Sequence, residues 1–202
     1  MRKLIFLTSL STFLFIGCAT TQLETSSKLT RTIVIDHSKI VNKTIYVQVT
    51  NTASSGGERM NLNQSIINSL QSKGYTVVNS SNEATYSIFV NVLFANNLKE
   101  ARALQAAVAS GVFGGVGALA SGSNGSNSLL VGATAALAGG LVGKALEDET
   151  FRAVIDITVK DNQINSEEKS RVYCEAVKMN LNLDEAIPIL EKESTKSIVN
   201  IF

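Results

Sequence analysis

A chain of 202 residues in which 45% are hydrophobic is long enough to bury one core, and length alone asks for a single domain, with or without an insertion. Its 18 basic and 17 acidic residues nearly cancel, and removing Arg2 and Lys3 with the leader described below leaves 16 against 17, which excludes the positive field that a nucleic-acid partner requires. The two cysteines, Cys18 and Cys174, cannot pair with one another once the first is acylated, so Cys174, in an alternating apolar stretch, reads as a small core residue.

The first elements define an export signal. Arg2 and Lys3 precede an apolar run from Leu4 to Ile16, then Gly17 and Cys18. That run is too short for a membrane span of about twenty residues. The order charge, apolar run, small residue, cysteine therefore predicts a lipoprotein leader at 1–17, cleaved before Cys18, with covalent lipid on Cys18 and no other cofactor. Phe15-Ile16-Gly17-Cys18 is similar to a lipobox, with Phe15 in the place of the usual Leu. Ala19 follows where the Gram-negative sorting rule would need Asp for inner-membrane retention, so the expected location is the outer membrane. Each buried methylene contributes about 0.8 kcal/mol, which makes a multiply acylated tether effectively permanent. The polar, Ser/Thr-rich stretch at 18–30 is expected to be a lipidated leash.

A single α+β domain is expected over 31–202: a mixed β-sheet body, flanking amphipathic helices and an inserted helical hairpin. Strands are predicted at 32–36 and 44–50, the second alternating through Ile45, Val47 and Val49. Leu62, Ile66, Ile67 and Leu70 share a helical face over 61–73, and Gly74 is the expected stop. Strands follow at 75–78 and 85–95, the latter central, with Tyr86, Ile88, Val90, Val92 and Phe94 on one face. Two more, at 151–159 and 170–183, are joined through the charged segment 160–169 as a hairpin. Asp184 is the expected cap of a final helix whose apolar face carries Ile187, Leu190, Ser194, Ile198 and Ile201, with Pro188 in its first turn.

The unusual stretch is 101–146, where Ala and Gly dominate and charge is confined to Arg102 and Lys144. Two runs, 101–120 and 129–146, flank the turn Ser121, Gly122, Ser123, Asn124, Gly125, Ser126, Asn127 and Ser128. Ala107, Gly111 and Gly115 recur every four residues in the first run. Gly132, Ala136 and Gly140 do so in the second, with Gly139 and Gly143 one register over. Such small-residue stripes let helix backbones approach closely in lipid and suit a homo-oligomer. Each run holds only six or seven Leu, Val or Phe, a marginal span that would still escape arrest at the inner membrane. Two readings stay open: a hairpin in the outer membrane with the Ser/Asn turn exposed, or a soluble glycine-rich hairpin buried within the domain or across a dimer.

Catalytic signals are weak. Gly115-Val-Gly-Ala-Leu-Ala120 lacks the preceding strand that a dinucleotide fingerprint needs, and the Gly-Lys ending at Lys144 has Ala138 and Ala145 where a phosphate loop needs glycine and a hydroxyl. His37 is the single histidine, so neither a Ser/His/Asp triad nor a zinc or other metal site assembles. Glu147, Asp148 and Glu149 read as a solvated helix end. The chain is not expected to be an enzyme.

The order of lipobox, strands, the restart Gly74-Tyr75-Thr-Val-Val78, the glycine block Ala138-Gly-Gly-Leu-Val-Gly143 and the ending from Asn182-Leu-Asp-Glu-Ala-Ile-Pro-Ile-Leu190 to Ile201 resembles the TraT family over nearly all of the mature chain. This resemblance implies an oligomeric outer-membrane lipoprotein mediating surface exclusion, which hinders conjugative entry of related plasmids, and complement resistance, with the donor cell's mating apparatus as the opposing partner. The shorter 160–169 connection and the aromatic-poor insert depart from the family pattern, so membrane depth and partner specificity do not carry over. The alternative is a general envelope lipoprotein or small pore-like assembly with no exclusion role.

Overall fold

The longest strands are those whose alternating faces are both buried. The computed structural model describes residues 22–35, 42–53, 56–100 and 149–202. Among them, β1 (Glu24–Leu29), β2 (Thr44–Asn51), β3 (Thr76–Val78), β4 (Tyr86–Asn97), β5 (Thr150–Asp161) and β6 (Ser166–Val177) form one sheet in the order β1-β6-β5-β4-β2-β3. The strands β4, β5 and β6 make an antiparallel meander at its centre, and β2 joins β4 in parallel. Helix α1 (Asn63–Ser72) links β2 to the parallel β3, the connection that parallel neighbours require. Helix α2 (Leu183–Val199) ends the fold.

The two helices pack on the same face of the sheet. Ile66 and Leu70 of α1 and Leu190 and Ile198 of α2 are buried against Ile45, Ile88, Val90, Ile155, Ile157 and Val172. Helix α1 stops at Gly74 as expected: Gly74 sits at φ +85°, its N–H donates to the Gln71 carbonyl and Tyr75 N–H to that of Leu70. These paired bonds satisfy the last-turn carbonyls, and the left-handed residue favours glycine.

Several boundaries differ from expectation, each for a local reason. Residues 32–35 are not a strand. The chain leaves the β6 edge after Leu29, bonding through Thr30 N–H to the Arg171 carbonyl (2.9 Å), and crosses toward β2 with Ile33 sunk into the core. Within the stretch read as a leash, Glu24–Leu29 is strand β1, paired antiparallel with β6. Strand β6 ends at Val177 rather than continuing to 183, because Asn180 turns the chain at φ 57°. Strands β5 and β6 extend through most of 160–169 and leave only 162–165 as the turn, with Asn165 at φ 51°. Asn182, not Asp184, caps α2: its Oδ1 accepts from Glu185 N–H (3.0 Å) and its Nδ2 donates back to Glu185 Oε1 (3.0 Å). Pro188 lies in the second turn of α2. A register shift between Val92 and Phe94 in β4 moves Phe94 away from the helix side.

Among the described residues no helix is long and apolar enough to cross a membrane. Cys18, His37 and the insert 101–146, with its small-residue stripes and its Ser/Asn turn, lie outside the described residues.

Candidate functional site

Strand register brings three chain exits to one end of the sheet. Glu24 of β1 pairs with Val177 of β6, Val177 with Thr150 of β5, and the adjacent Phe151 with Asn97 of β4. The chain toward Cys18 therefore leaves from the same end as the two attachment points of the insert, after Glu100 and before Glu149. Because Asn97 and Phe151 are direct neighbours, the two attachment points of the insert stand side by side. From Glu24 back to Cys18 is six residues, a reach of at most about 20 Å. Leu23 and Met179, two of the exposed large hydrophobic residues, stand at this end, 40% and 46% accessible. Glu149 closes it, its carbonyl accepting from Lys178 N–H.

On the sheet face opposite the helices, this end carries a charge ladder in an apolar setting. Arg152 and Glu175 are direct cross-strand partners. Nε and Nη2 of Arg152 both donate to Glu175 Oε1 at 3.0 Å, and the two side chains are 4% and 0% exposed. One pair down, Val154 faces Tyr173, packed with Phe94, Leu98 and Leu93. The next pair is Asp156 and Arg171, bidentate, with Arg171 Nη2 donating to Asp156 Oδ2 at 2.9 Å. Burial works against the Arg171 charge, but the hydrogen bond and charge of Asp156 outweigh it and hold the guanidinium above its ordinary pKa. Burial likewise pushes the Tyr173 phenol up, with the Arg171 charge opposing.

Burying two ions in low dielectric costs several kcal/mol apiece, and that cost is offset only when geometry and hydrogen bonding are complete. Arg152 and Glu175 go toward that condition with two hydrogen bonds on Glu175 Oε1, and the pair ties β5 to β6 where the insert is rooted. This arrangement has the chemistry of a structural tie between two strands. Among the described residues no cluster of three or more His, Cys, Asp or Glu side chains converges on a point that could hold a metal.

Cys174 lies in the core, as its alternating context predicts. It is fully buried, accepts a hydrogen bond from the Ser194 hydroxyl (Oγ to Sγ 3.3 Å), and burial pushes its thiol pKa up to about 12. Such a thiol is inert rather than nucleophilic.

Sequence reasoning missed the ladder, although its signal is present. Arg152 and Asp156 are four apart on β5, and Arg171 and Glu175 are four apart on β6. Antiparallel pairing about the 162–165 turn sets each opposite its counter-ion.

The described architecture defines an α+β protein with one six-stranded sheet, both helices on one face, and a long insertion rooted beside the N-terminal strand at one end. The family profile described as Enterobacterial TraT complement resistance protein matches residues 22–170. A TraT complement resistance protein from Escherichia coli is 30% identical, the match covering 89% of this chain and 86% of that protein. Another, from Escherichia coli strain K12, is 29% identical over the same shares. The chain belongs to the TraT family. Among solved structures it is similar to a PelC dodecamer from Paraburkholderia phytofirmans, with 9% identity, a TM-score of 0.42, and coverage of 88% of this chain and 97% of that one.

Proposed function

We propose that this protein is a non-catalytic outer-membrane lipoprotein, held by lipid on Cys18, that mediates surface exclusion and complement resistance as an oligomer. The observation that carries the reading is the shared exit: the path to Cys18 and both ends of the insert leave one end of one sheet. A lipid at Cys18 then holds that end within about 20 Å of the bilayer and delivers the insert to it. The insert enters the membrane as a helical hairpin, its stripes Ala107, Gly111 and Gly115 and Gly132, Ala136, Gly139, Gly140 and Gly143 packing between helices. The turn from Ser121 to Ser128 is displayed on the far side, where it obstructs a donor cell's mating apparatus by contact. Membership in the TraT family supports an envelope-surface role.

The test is recipient ability in matings with donors carrying related or unrelated plasmids, comparing cells without the protein, with wild type, and with Cys18→Ala. Transfer lowered only by wild type, and only for related plasmids, supports anchored exclusion. Equal mating by all three recipients removes exclusion and leaves a general envelope or pore-like lipoprotein, which altered dye uptake on deletion then supports.

A further inference from the structure

Strand β2 has an edge that its neighbour covers only in part. On one side β4 pairs with it from Ile45 to Asn51, but on the other β3 pairs only with Thr44, Ile45 and Tyr46. The backbone bonds at its ends fix which residues look outward. The Thr44 carbonyl accepts from Thr85 N–H and Thr52 N–H donates to the Val92 carbonyl, both toward β4, whereas the Lys43 carbonyl accepts from Thr76 N–H toward β3. Even-numbered backbone groups therefore point to β4 and odd-numbered ones to the other side. Beyond the end of β3, Val49 and Asn51 direct their N–H and C=O groups to an edge with which no described strand pairs.

This open half-edge forms one wall of a cavity of about 600 Å³. The opposite wall is the segment from Glu58 to Asn63. That wall is braced: Asn51 Nδ2 donates to the carbonyls of Gly57 (3.0 Å) and Met60 (2.9 Å), and Gly57 approaches β4 so closely that a Cβ there would stand 2.8 Å from Ala95 N. Val47 and Val49 are half-buried at its floor. The charges at the rim are already occupied, Glu58 by Gly56 N–H and Arg59 by Asp184.

Proteins shield exposed strand edges with charge, proline or bulges. The opposite edge strand β1 is shielded in this way by Glu24 and Lys28. The open part of β2, Val47-Gln-Val-Thr-Asn51, carries neither charge nor proline, its register with β4 is unbroken, and its residues are largely strand-favouring. With the rim charges satisfied, what remains to be matched is a row of backbone donors and acceptors.

We propose that this half-edge is a β-augmentation site that accepts an extended segment of another polypeptide, adding a strand of about five residues with small apolar side chains at alternate positions. Backbone bonds to Val49 and Asn51 supply the affinity, and the Val47 and Val49 floor selects the alternating pattern.

The experiment uses full-length protein in detergent and a fluorescein-labelled peptide of alternating Val and Thr with a lysine at each end, followed by fluorescence anisotropy. Saturable binding is expected, weakened at least about tenfold when the peptide is N-methylated at alternate backbone nitrogens, a change that leaves the protein's folding untouched. Val49→Pro, which removes an N–H not used by β4, should weaken binding by a similar factor, while Val49→Thr retains it. No saturable binding, or binding indifferent to N-methylation, overturns the proposal. So does sedimentation showing that the peptide merely dissociates copies of the protein from one another, because the edge's occupant is then a second copy.

Discussion

The two faces of the sheet solve the same problem with different chemistry. On the helix side, β5 contributes Phe151, Ala153, Ile155, Ile157 and Val159 to a continuous apolar core under α1 and α2. On the other side the same strand contributes Arg152, Val154 and Asp156, two ions around one apolar residue, and the first of these is as inaccessible as most of the core. Apolar packing tolerates substitution by degrees, whereas a buried ion pair is all or nothing. The contrast teaches that the end of the sheet bearing the insert is built for registration, and the helix side for cohesion.

Breaking one ion should give the largest effect. Glu175→Ala leaves Arg152 buried without its carboxylate and should cost about 3–5 kcal/mol in urea denaturation, while the double replacement Arg152→Met with Glu175→Leu should recover most of the loss. If the double variant is as unstable as the single one, the pair contributes more than mutual compensation, and the contrast between faces weakens. On the apolar side, Leu190→Ala should cost about 2–5 kcal/mol, with no second substitution on the sheet able to restore it as cleanly.

Much of this architecture was legible because its signals are periodic. Strands β2, β4 and β5 announce themselves by alternation, α1 by Leu62, Ile66 and Leu70 with its glycine stop, and α2 by Leu190, Ser194 and Ile198, all of which are buried. Strand β1 was not legible. Glu24–Leu29 has one apolar residue at its end and is held by backbone pairing along β6, a force that leaves no hydrophobic pattern. The position of the β4 register shift was hidden for a similar reason, since Phe94 fits the alternation that the shift interrupts. Of the candidate site, Cys174 was placed correctly as core, but the convergence of the N-terminal strand and the insert roots depends on the order β1-β6-β5-β4, which no local pattern encodes.

A smaller effect should appear on the core side at alkaline pH. The Cys174 thiol is raised from 9.0 to about 12, so the native state keeps its proton where the unfolded chain loses it. Its contribution is whole below pH 9 and falls as pH rises toward 12, by about 1.4 kcal/mol per pH unit. The raised phenols of Tyr75 and Tyr173 add a decline of the same sign above pH 10. Stability of Cys174→Ala measured from pH 8 to 11 should start lower than wild type and fall less steeply. Parallel curves would show that the thiol is not the titrating group.

The smallest expected change tests whether exposure, rather than charge alone, separates the two ion pairs of the ladder. Both Arg152–Glu175 and Arg171–Asp156 are direct cross-strand pairs with a buried guanidinium, but Arg152 bonds a single oxygen of a fully buried Glu175, whereas Arg171 is bidentate to an Asp156 that is 42% exposed. When Asp156 is removed, water reaches the place its carboxylate held, so the guanidinium of Arg171 exchanges one partner for another instead of losing it. Asp156→Ala should therefore cost about 1 kcal/mol, well below Glu175→Ala, and 1 M salt should reduce the difference from wild type. A cost equal to that of Glu175→Ala, unmoved by salt, would mean that the ladder acts as one buried unit along its whole length and that solvent does not divide it.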